Sequence, residues 1–587
     1  MTTGSPSVPT IYKLTIERFR GIKHLSWQPA RGVNLILGGG DVGKTTILDA
    51  ICLLLSPTNS ASVLDSDYNL RNEEAEFSIE AVIALPSGGG INQLTKASWP
   101  WCWDGTNAAV PTHDESSEPG SEEVYVLRVR GTAELELSYE IVQPSGMTET
   151  LPVAFRRGIG LVRLSGDDRN DRDLRLVQGS ALDRLLTDKG LRARIANKLA
   201  ENDDMLSQLS EDARKALGEL NKVFCDHKLP NDLDIALTGG QGPSIASLVG
   251  LTAMRETVQL PLSSWGAGTR RLSALAIAEQ IQGGNPITVV DEVERGLEPY
   301  RQRILMARLQ DAHSQAFITT HSPAAISAAT NASLWYMDQT GSLGQLSGTK
   351  VTKLRADDPD AFLARLTVVA EGVTEVGFAR SLLTKALGSE LQPLGFHVAD
   401  GGGHDTTIEL LRSLSKAGMK FGGFADEEGR HSGGWDDVRE RLGLLLFRWK
   451  TGDIESNIVD ALADEKIEAF ITDPEDEKTG RRLRSLAMRL KIEQKDFASI
   501  RTKAGTELKR FIKEAAGGKV PEGTPNADKK AYSKQSQDWF KTERGGRELA
   551  GKLFSLGVWP ALKTELLPFC DAVRGAAGLP PLEDLRS

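Results

Sequence analysis

Apolar and polar residues alternate along the first segment (Ile11, Lys13, Leu14, Ile16, Phe19), the period-two signature of a strand with one buried face. Residues 33–37 form a short, mostly apolar run that ends in a glycine cluster, predicting a buried strand, a loop and a helix over 46–55. Two more alternating stretches (Phe77, Ile79, Ala81, Ile83; Leu135, Leu137, Tyr139, Ile141) predict antiparallel sheet in the same region. Between them, residues 87–120 are rich in Gly, Ser and Pro and carry Trp99, Trp101 and Trp103, which reads as a long surface loop. Spacings of three and four (Leu182, Leu185, Leu186; Leu191, Ile195, Leu199; Leu217, Leu220, Phe224) predict a helical insertion. Apolar runs at 287–290, 317–320 and 334–337 then alternate with helical segments, the pattern of an α/β sheet. A second α/β unit begins at Thr367, with strand runs ending at Ala370, Ala399 and Ala425. The charged, then Gly/Pro/Lys-rich segment 473–531 predicts a peripheral helical insertion or lid.

Composition narrows the class without choosing the chemistry. A chain of 587 residues is long enough for about three to five domains, and 40% apolar residues suffice for large cores. No uninterrupted apolar stretch approaches the roughly 20 residues that span a bilayer, so no membrane segment is expected. The start, MTTGSPSVPT, has neither a basic region nor an apolar core, and no secretory signal is expected. Four scattered cysteines in no CxxC pair argue against a disulfide framework or a thiolate zinc site, which places the chain in a reducing cytoplasm. A net charge of -10 disfavours coating nucleic acid by bulk charge. A local cluster, Arg481, Arg482, Arg484, Arg489 and Lys491, reads first as a solvated helix face and second as a run that holds backbone phosphates.

Residues 38–45, Gly-Gly-Gly-Asp-Val-Gly-Lys-Thr, fit G-x-x-x-x-G-K-[ST] between a strand and a helix. Gly38, Gly40, Asp41 and Gly43 shape a loop whose N–H groups face phosphate, joined by the helix start at Thr46. Lys44 reaches the β/γ-phosphates of ATP and Thr45 ligates Mg2+. Downstream, an apolar strand ends in Asp291-Glu292, the first a ligand of the Mg2+ shell and the second an orienter of the attacking water. Another strand runs into His321, read as a γ-phosphate sensor, and Ser264 and Gly266 open a helix that offers a further anion site. In this order the motifs resemble the ABC-type ATPase heads of the SMC and RecF group, with Val293 where proline is common and Glu298 where histidine is common. The resemblance implies a homodimer in which Ser264 and Gly266 of one protomer cap the ATP of the other.

The remainder of the chain has its own acidic constellation: Glu371 and Glu375 about a Gly turn, Asp400, Asp426 with Glu428, and Asp453 with Glu455. Carboxylates at successive strand ends of a parallel sheet converge on one edge. Asp426 and Glu428, two apart, point the same way in an extended segment and form a divalent-metal clamp. This resembles the TOPRIM domain, with Glu428 in place of the second aspartate of its Asp-x-Asp. An ABC-type ATPase followed by TOPRIM resembles the overcoming-lysogenisation-defect (OLD) family of nucleases. The fold class implied is α/β. An ATPase head (1–174 and 231–352) holds a helical dimerisation insertion (175–230), and a TOPRIM domain (365–587) carries a helical insertion at 465–535.

The expected activity is a Mg2+-dependent (or Mn2+- or Ca2+-dependent) DNA endonuclease or nickase. Asp426, Glu428 and Glu371 hold one metal, and Glu375 and Glu455 stand near the other, with Asp453 an alternative ligand. The resemblance adds a late lysine that neutralises the transition state, Lys541 first and Lys552 second, together with phage defence and a helicase-like partner. The rival readings are an SMC/RecF-like repair ATPase that does not cut, and an ATP-gated scaffold.

Overall fold

The computed structural model describes residues 8–585 apart from 60, 87–99, 112–121, 165–171, 178–179, 187–189, 192–193, 196–208, 238–248, 281–285, 313, 428–431 and 476. The chain divides into two compact units, Met1–Gln345 and Leu346–Ser587. Among the described residues no helix is long and apolar enough to cross a membrane.

The first unit opens with β1 (Thr10–Phe19), β2 (Ile22–Trp27), β3 (Val33–Gly38) and α1 (Lys44–Leu54). Seven strands follow: β4 (Phe77–Ala84), β5 (Trp101–Trp103), β6 (Ala108–Ala109), β7 (Glu122–Gly131), β8 (Leu137–Val142), β9 (Thr148–Thr150) and β10 (Leu161–Leu164). After α2 (Ala181–Leu186) and α3 (Glu211–Asp226) come β11 (Asp234–Leu237), β12 (Val249–Arg255), β13 (Val258–Pro261) and α4 (Ala267–Glu279). The unit closes with β14 (Ile287–Val290), α5 (Pro299–Asp311), β15 (Ala316–Thr319), β16 (Ser333–Met337) and β17 (Leu343–Leu346). One sheet has the order β2-β1-β4-β7-β5-β6, with β8 on β7 and β9 on β8, all antiparallel. A second has the order β10-β14-β15-β3-β16-β17 and runs parallel from β10 to β16.

The central place of β3, between β15 and β16, is why its residues read as a mostly apolar run. Ile47 and Ile51 of α1 share one apolar cluster with Ile16 and Ile79 of the antiparallel sheet and Val289 and Phe317 of the parallel one. Both sheets therefore hold the helix that follows the glycine loop. The alternation around Leu135 begins later than expected, because Leu135 sits in the turn before β8 with φ near 59°. Trp101 and Trp103, expected in a loop, form β5 and pair with β7, with Trp103 edge-on to Tyr12 at 5.3 Å. Trp99 lies outside the described residues.

The second unit is built from β18 (Leu366–Ala370), α6 (Val373–Leu387), β19 (Phe396–Asp400), α7 (His404–Lys416), β20 (Phe421–Ala425), α8 (Ser432–Leu442), β21 (Leu446–Arg448) and α9 (Ile454–Ala461). It continues through α10 (Thr479–Leu490), α11 (Leu508–Ala516), α12 (Glu543–Ser555) and α13 (Trp559–Ala576). The four strands are parallel in the order β19-β18-β20-β21, so every strand delivers its carboxyl end to the same edge. The segment expected as a peripheral lid is part of the core instead: Leu486, Leu508 and Ile512 belong to the same apolar cluster as Val368 and Phe424. Its helices are amphipathic, and their apolar faces are what complete the unit.

That packing takes two of the five residues out of the basic cluster, while Arg481, Arg484 and Lys491 stay exposed. Arg482 is fully buried, donating to both oxygens of Glu548 at 2.7 Å. Arg489 is buried against Gln535, whose Oε1 accepts its Nε–H at 2.7 Å. A guanidinium locked to a carboxylate under aromatic rings is a structural cation, and the sequence spacing alone does not distinguish it from a solvated one.

Candidate functional site

The glycine loop of the first unit owes its residue types to crowding. Gly38 has φ 148°, and a Cβ there would stand 2.5 Å from the Met337 carbonyl oxygen on β16. Gly43 has φ 107°, a backbone state that disfavours a side chain, and Asp41 takes the left-handed region at 57°. Lys44, the first residue of α1, donates to the Gly38 carbonyl at 3.0 Å. Burial lowers its pKa while Asp291, Asp41 and other acids pull it back up. Thr45 Oγ1 donates to Asp291 Oδ1 at 3.3 Å, which joins the loop to the end of β14. The same oxygen accepts from Thr319 Oγ1 at 2.6 Å, and Glu292, at φ 50°, anchors its own N–H on Thr319 Oγ1. A cavity of about 440 Å³ lies beside this loop, lined by Gly21, residues Asp41 to Thr46 and the turn Gln339, Thr340, Gly341.

Ser264 and Gly266 are exposed at the start of α4 and are not among the residues lining that cavity. His321 is exposed too, its backbone N–H held by Glu294 Oε1 at 2.7 Å. Sequence reasoning passed over the residue that ties these parts together. Arg271 on α4 donates to the carbonyls of Asp291, Glu292 and Arg295 at 2.9, 3.0 and 2.6 Å, so the strand-end turn is tied to this helix. Gly268 completes the contact, since a Cβ there would meet the Gly296 carbonyl at 2.4 Å.

In the second unit β18 and β20 are neighbours in register, Ala370 opposite Phe424, so Glu371 and Asp426 leave the sheet side by side. The Asp426 N–H donates to Glu371 Oε2 at 3.1 Å. Glu375 lies in the first turn of α6, and the glycine at 372 makes room for it: a Cβ there would touch Glu375 Oε2 at 3.0 Å. Glu455 lies in the first turn of α9 and is 1% exposed. Lys541 stands 3.0 Å from Glu455 Oε1. It arrives there because α12 and α6 cross at glycines: Cβ atoms on Gly377 and Gly546 would each lie 1.9 Å from a carbonyl oxygen of the other helix. Thr374 Oγ1 locks the approach by donating to the Phe540 carbonyl at 3.1 Å.

Burial and then the charge of Glu455 push the Glu375 carboxyl up to about 7. Burial, followed by Glu375, Glu455, Asp453 and Glu371, holds Asp426 well above the carboxylate range. Burial raises Glu455 as well, in spite of Lys541. Burial opposes the charge on Lys541, but Glu455 and Glu375 outweigh it and hold the ammonium above its ordinary range. Among the described residues Asp426 Oδ1 and Glu455 Oε2 are buried with no hydrogen-bond partner. Oxygens of this kind, crowded and unsatisfied, are the donor set a hard divalent cation takes. Among the described residues no three His, Cys, Asp or Glu side chains already close into a metal cage.

The other acidic candidates stand elsewhere or have other partners. Asp400 is exposed and its Oδ1 accepts the Gly402 N–H at 2.8 Å, a turn cap outside the buried group. Asp453 caps α9, accepting the Ser456 N–H at 2.8 Å, and still adds its charge to the cluster. Glu428 lies outside the described residues. Lys552 is remote from the carboxylate group: it donates to the Thr472 carbonyl at 2.7 Å and pairs with Glu548 at 2.7 Å.

Two P-loop ATPase family models match the first unit: "AAA domain" over residues 13–110, and "AAA domain, putative AbiEii toxin, Type IV TA system" over residues 150–327. The DNA replication and repair protein RecF of Heliobacterium modesticaldum is 25% identical over 357 residues, covering 53% of this chain and 92% of that protein. RecF of Shewanella sp. (strain MR-4) is 35% identical over 79 residues, 14% of this chain and 22% of its own length. Two solved structures align more loosely. The SMC head bound to the C-winged helix domain of ScpA has a TM-score of 0.37 at 16% identity, covering 59% of this chain and 99% of its own. RecF with an ATP analogue has a TM-score of 0.37 at 14% identity, covering 58% and 100%. The first unit of the chain is thus an ATP-binding P-loop ATPase domain of the AAA/ABC type with homology to RecF.

Proposed function

We propose that this ATPase carries a divalent-cation-dependent phosphodiester hydrolase in its second unit and acts on DNA as an endonuclease or nickase. The observation that carries the reading is the group Glu371, Glu375, Asp426 and Glu455: four buried carboxylates on one edge of a parallel sheet, Asp426 Oδ1 and Glu455 Oε2 without a hydrogen-bond partner among the described residues, with Lys541 beside them. Glu371 and Asp426 would hold one cation and Glu375 and Glu455 the other, with Glu428 completing the first set. Bound Mg2+ or Mn2+ lowers the pKa of water and stabilises charge on a leaving oxygen. Lys541 supplies a fixed positive charge 3.0 Å from Glu455, where a phosphate meeting the cluster gathers negative charge.

In the first unit Lys44 and the loop N–H groups hold the triphosphate, Thr45 and Asp291 hold its Mg2+, and Glu292 orients water for ATP hydrolysis. Ser264 and Gly266, exposed and outside the loop cavity of their own chain, fit a role on the nucleotide of a second copy, and His321 a role at its γ-phosphate. DNA as substrate and a head-to-head homodimer rest on the resemblance to SMC, RecF and OLD proteins. A role in phage defence rests on the resemblance to OLD nucleases alone. The second reading, a DNA-repair ATPase that does not cut, is favoured by the RecF match, which covers only 53% of the chain.

The test is cleavage of supercoiled plasmid in Mg2+, Mn2+ or EDTA, with and without ATP, by the native chain and by Glu371→Ala, Asp426→Ala and Lys541→Met. Metal-dependent nicking that falls about 100-fold or more in each variant supports the hydrolase. Unchanged activity in Asp426→Ala, or no cleavage in any metal, leaves the repair ATPase.

A further inference from the structure

The turn after β14 holds Glu292 in a backbone state that a glutamate does not favour. Glu292 sits at φ 50°, in the left-handed region, and Gly296 closes the same turn at 70°. A non-glycine residue persists there where its surroundings over-determine it. The local contact of its side chain is slight, an ion pair with Arg295 at 3.6 Å between two half-exposed groups, which contributes little in solvent. What holds the residue comes from two other elements. Thr319, the last residue of β15, accepts the Glu292 N–H on Oγ1 at 2.9 Å and donates that hydroxyl to Asp291 Oδ1 at 2.6 Å, while its carbonyl accepts the Val293 N–H at 3.1 Å. From the other side comes Arg271, one turn into α4 and 8% exposed. Its Nη1 donates to the carbonyls of Glu292 and Arg295 at 3.0 and 2.6 Å, and its Nη2 to those of Asp291 and Leu164 at 2.9 and 3.3 Å. The terminal N–H groups of one guanidinium thus meet four main-chain carbonyls, at the end of β10 and around the turn. A buried cation directed at carbonyls fixes the main chain, and arginine is the side chain that offers this many donors in one rigid plane. Glycines let α4 come this close: a Cβ on Gly268 would stand 2.4 Å from the Gly296 carbonyl oxygen, and one on Gly296 would stand 2.7 Å from the Ala267 Cβ.

We propose that Arg271 is a positioning residue for ATP hydrolysis: by fixing the carbonyls of Asp291, Glu292 and Arg295, it holds Glu292 in its left-handed state and so aims that carboxylate at the attacking water. The inference rests on the reading of Glu292 given above. Arg271 acts through Glu292 and is not among the residues lining the cavity beside the glycine loop, so binding of the triphosphate is left to Lys44 and the loop N–H groups. Glu292 is close enough for its charge to act on Lys44. A group displaced by about 1 Å from its reacting geometry loses about 100-fold in rate, whereas binding made elsewhere is untouched. Loss of Arg271 therefore falls on the rate of hydrolysis and spares the affinity for ATP.

The experiment is carried out on the full chain with saturating Mg2+, measuring ATP affinity with a fluorescent analogue and hydrolysis in single-turnover assays. The variants are Arg271→Met, Arg271→Lys, Glu292→Gln and the double Arg271→Met/Glu292→Gln, each checked by far-ultraviolet circular dichroism. The expected result is a loss of about 100-fold or more in rate for Glu292→Gln. Each Arg271 variant loses about 10- to 100-fold in rate and keeps ATP affinity within about threefold of native. Arg271→Lys keeps the buried charge and stands in if Arg271→Met does not fold; it fails as the methionine does, because a point charge does not hold carbonyls in separate directions. The double variant is no slower than Glu292→Gln, since two residues that act as one unit are not additive. Three results overturn the proposal: the same fractional loss from Arg271→Met in both backgrounds, a loss of ATP affinity as large as the loss of rate, or the native rate in either Arg271 variant. A native rate in Glu292→Gln, or no hydrolysis by the native chain, removes the reading of Glu292 itself, a result distinct from these.

Discussion

Two lysines in the carboxyl-terminal region look alike in the sequence and have opposite surroundings. Lys541 is surrounded by carboxylates, and Lys552 by carbonyl oxygens, one carboxylate and the Arg482 guanidinium that shares it. Burial drives the Lys552 pKa down to about 8, with Glu548 opposing and Arg482 assisting. The sign follows from linkage. Between pH 8 and the unfolded value near 10.5, the unfolded chain holds a proton that the folded chain has released. Stability contributed through this group therefore rises with pH across that window and is flat below it. The gain amounts to roughly 3 kcal/mol over the window. Urea unfolding of the native chain and Lys552→Met at pH 7.5 to 10.5 should show a difference that changes by about this amount, and parallel curves would contradict the assignment. At this scale Glu371, Glu375 and Asp426 were legible as strand-end or first-turn acids. Arg271 was not, because one arginine within a helix carries no signal until the turn after β14 packs against it.

Among the elements, the crossing of α6 and α12 decides the site. Two helices at ordinary separation would leave Lys541 short of Glu455, and the glycines at 377 and 546 remove that separation. Gly546→Ala forces a methyl against the Thr374 carbonyl and is expected to destabilise the chain by about 3 kcal/mol in thermal or urea unfolding. It should also lower nuclease activity by displacing the lysine. Gly551→Ala, on the same helix with open space around its Cβ, is the control and should stabilise by about 0.5–1 kcal/mol. Equal effects from the two substitutions would show that the crossing is not tight. Strand placement was largely readable here, because β3, β14, β18 and β20 are buried on both faces and therefore mostly apolar. β5 was not. Its three residues WCW, in a Gly/Ser/Pro-rich stretch, become a strand only because β7 offers an edge.

Over the whole molecule, an ATPase unit and an acidic unit in one chain make nucleotide control of the acidic site testable by linkage. If ATP changes the affinity of the acidic site for Mn2+, Mn2+ must change ATP affinity by the same factor. With Mg2+ in fixed excess, binding of a non-hydrolysable ATP analogue is expected to shift about fivefold or more when Mn2+ fills the acidic site. The shift should vanish in Asp426→Asn, and no shift in either direction would mean two independent sites. What the residue order by itself determined is the local chemistry. A glycine loop followed by Lys44 and Thr45, and acids at the ends of apolar runs, are short-range patterns, complete within a few residues of one strand and one helix. What only the tertiary structure decided is which charges face each other. Lys541 rather than Lys552 joins the carboxylates, Arg482 and Arg489 serve the core rather than a surface, and Asp400 caps a turn while Asp426 is buried. Those outcomes depend on contacts between residues distant in sequence, where burial and neighbouring charge, not residue type, set what a side chain can do.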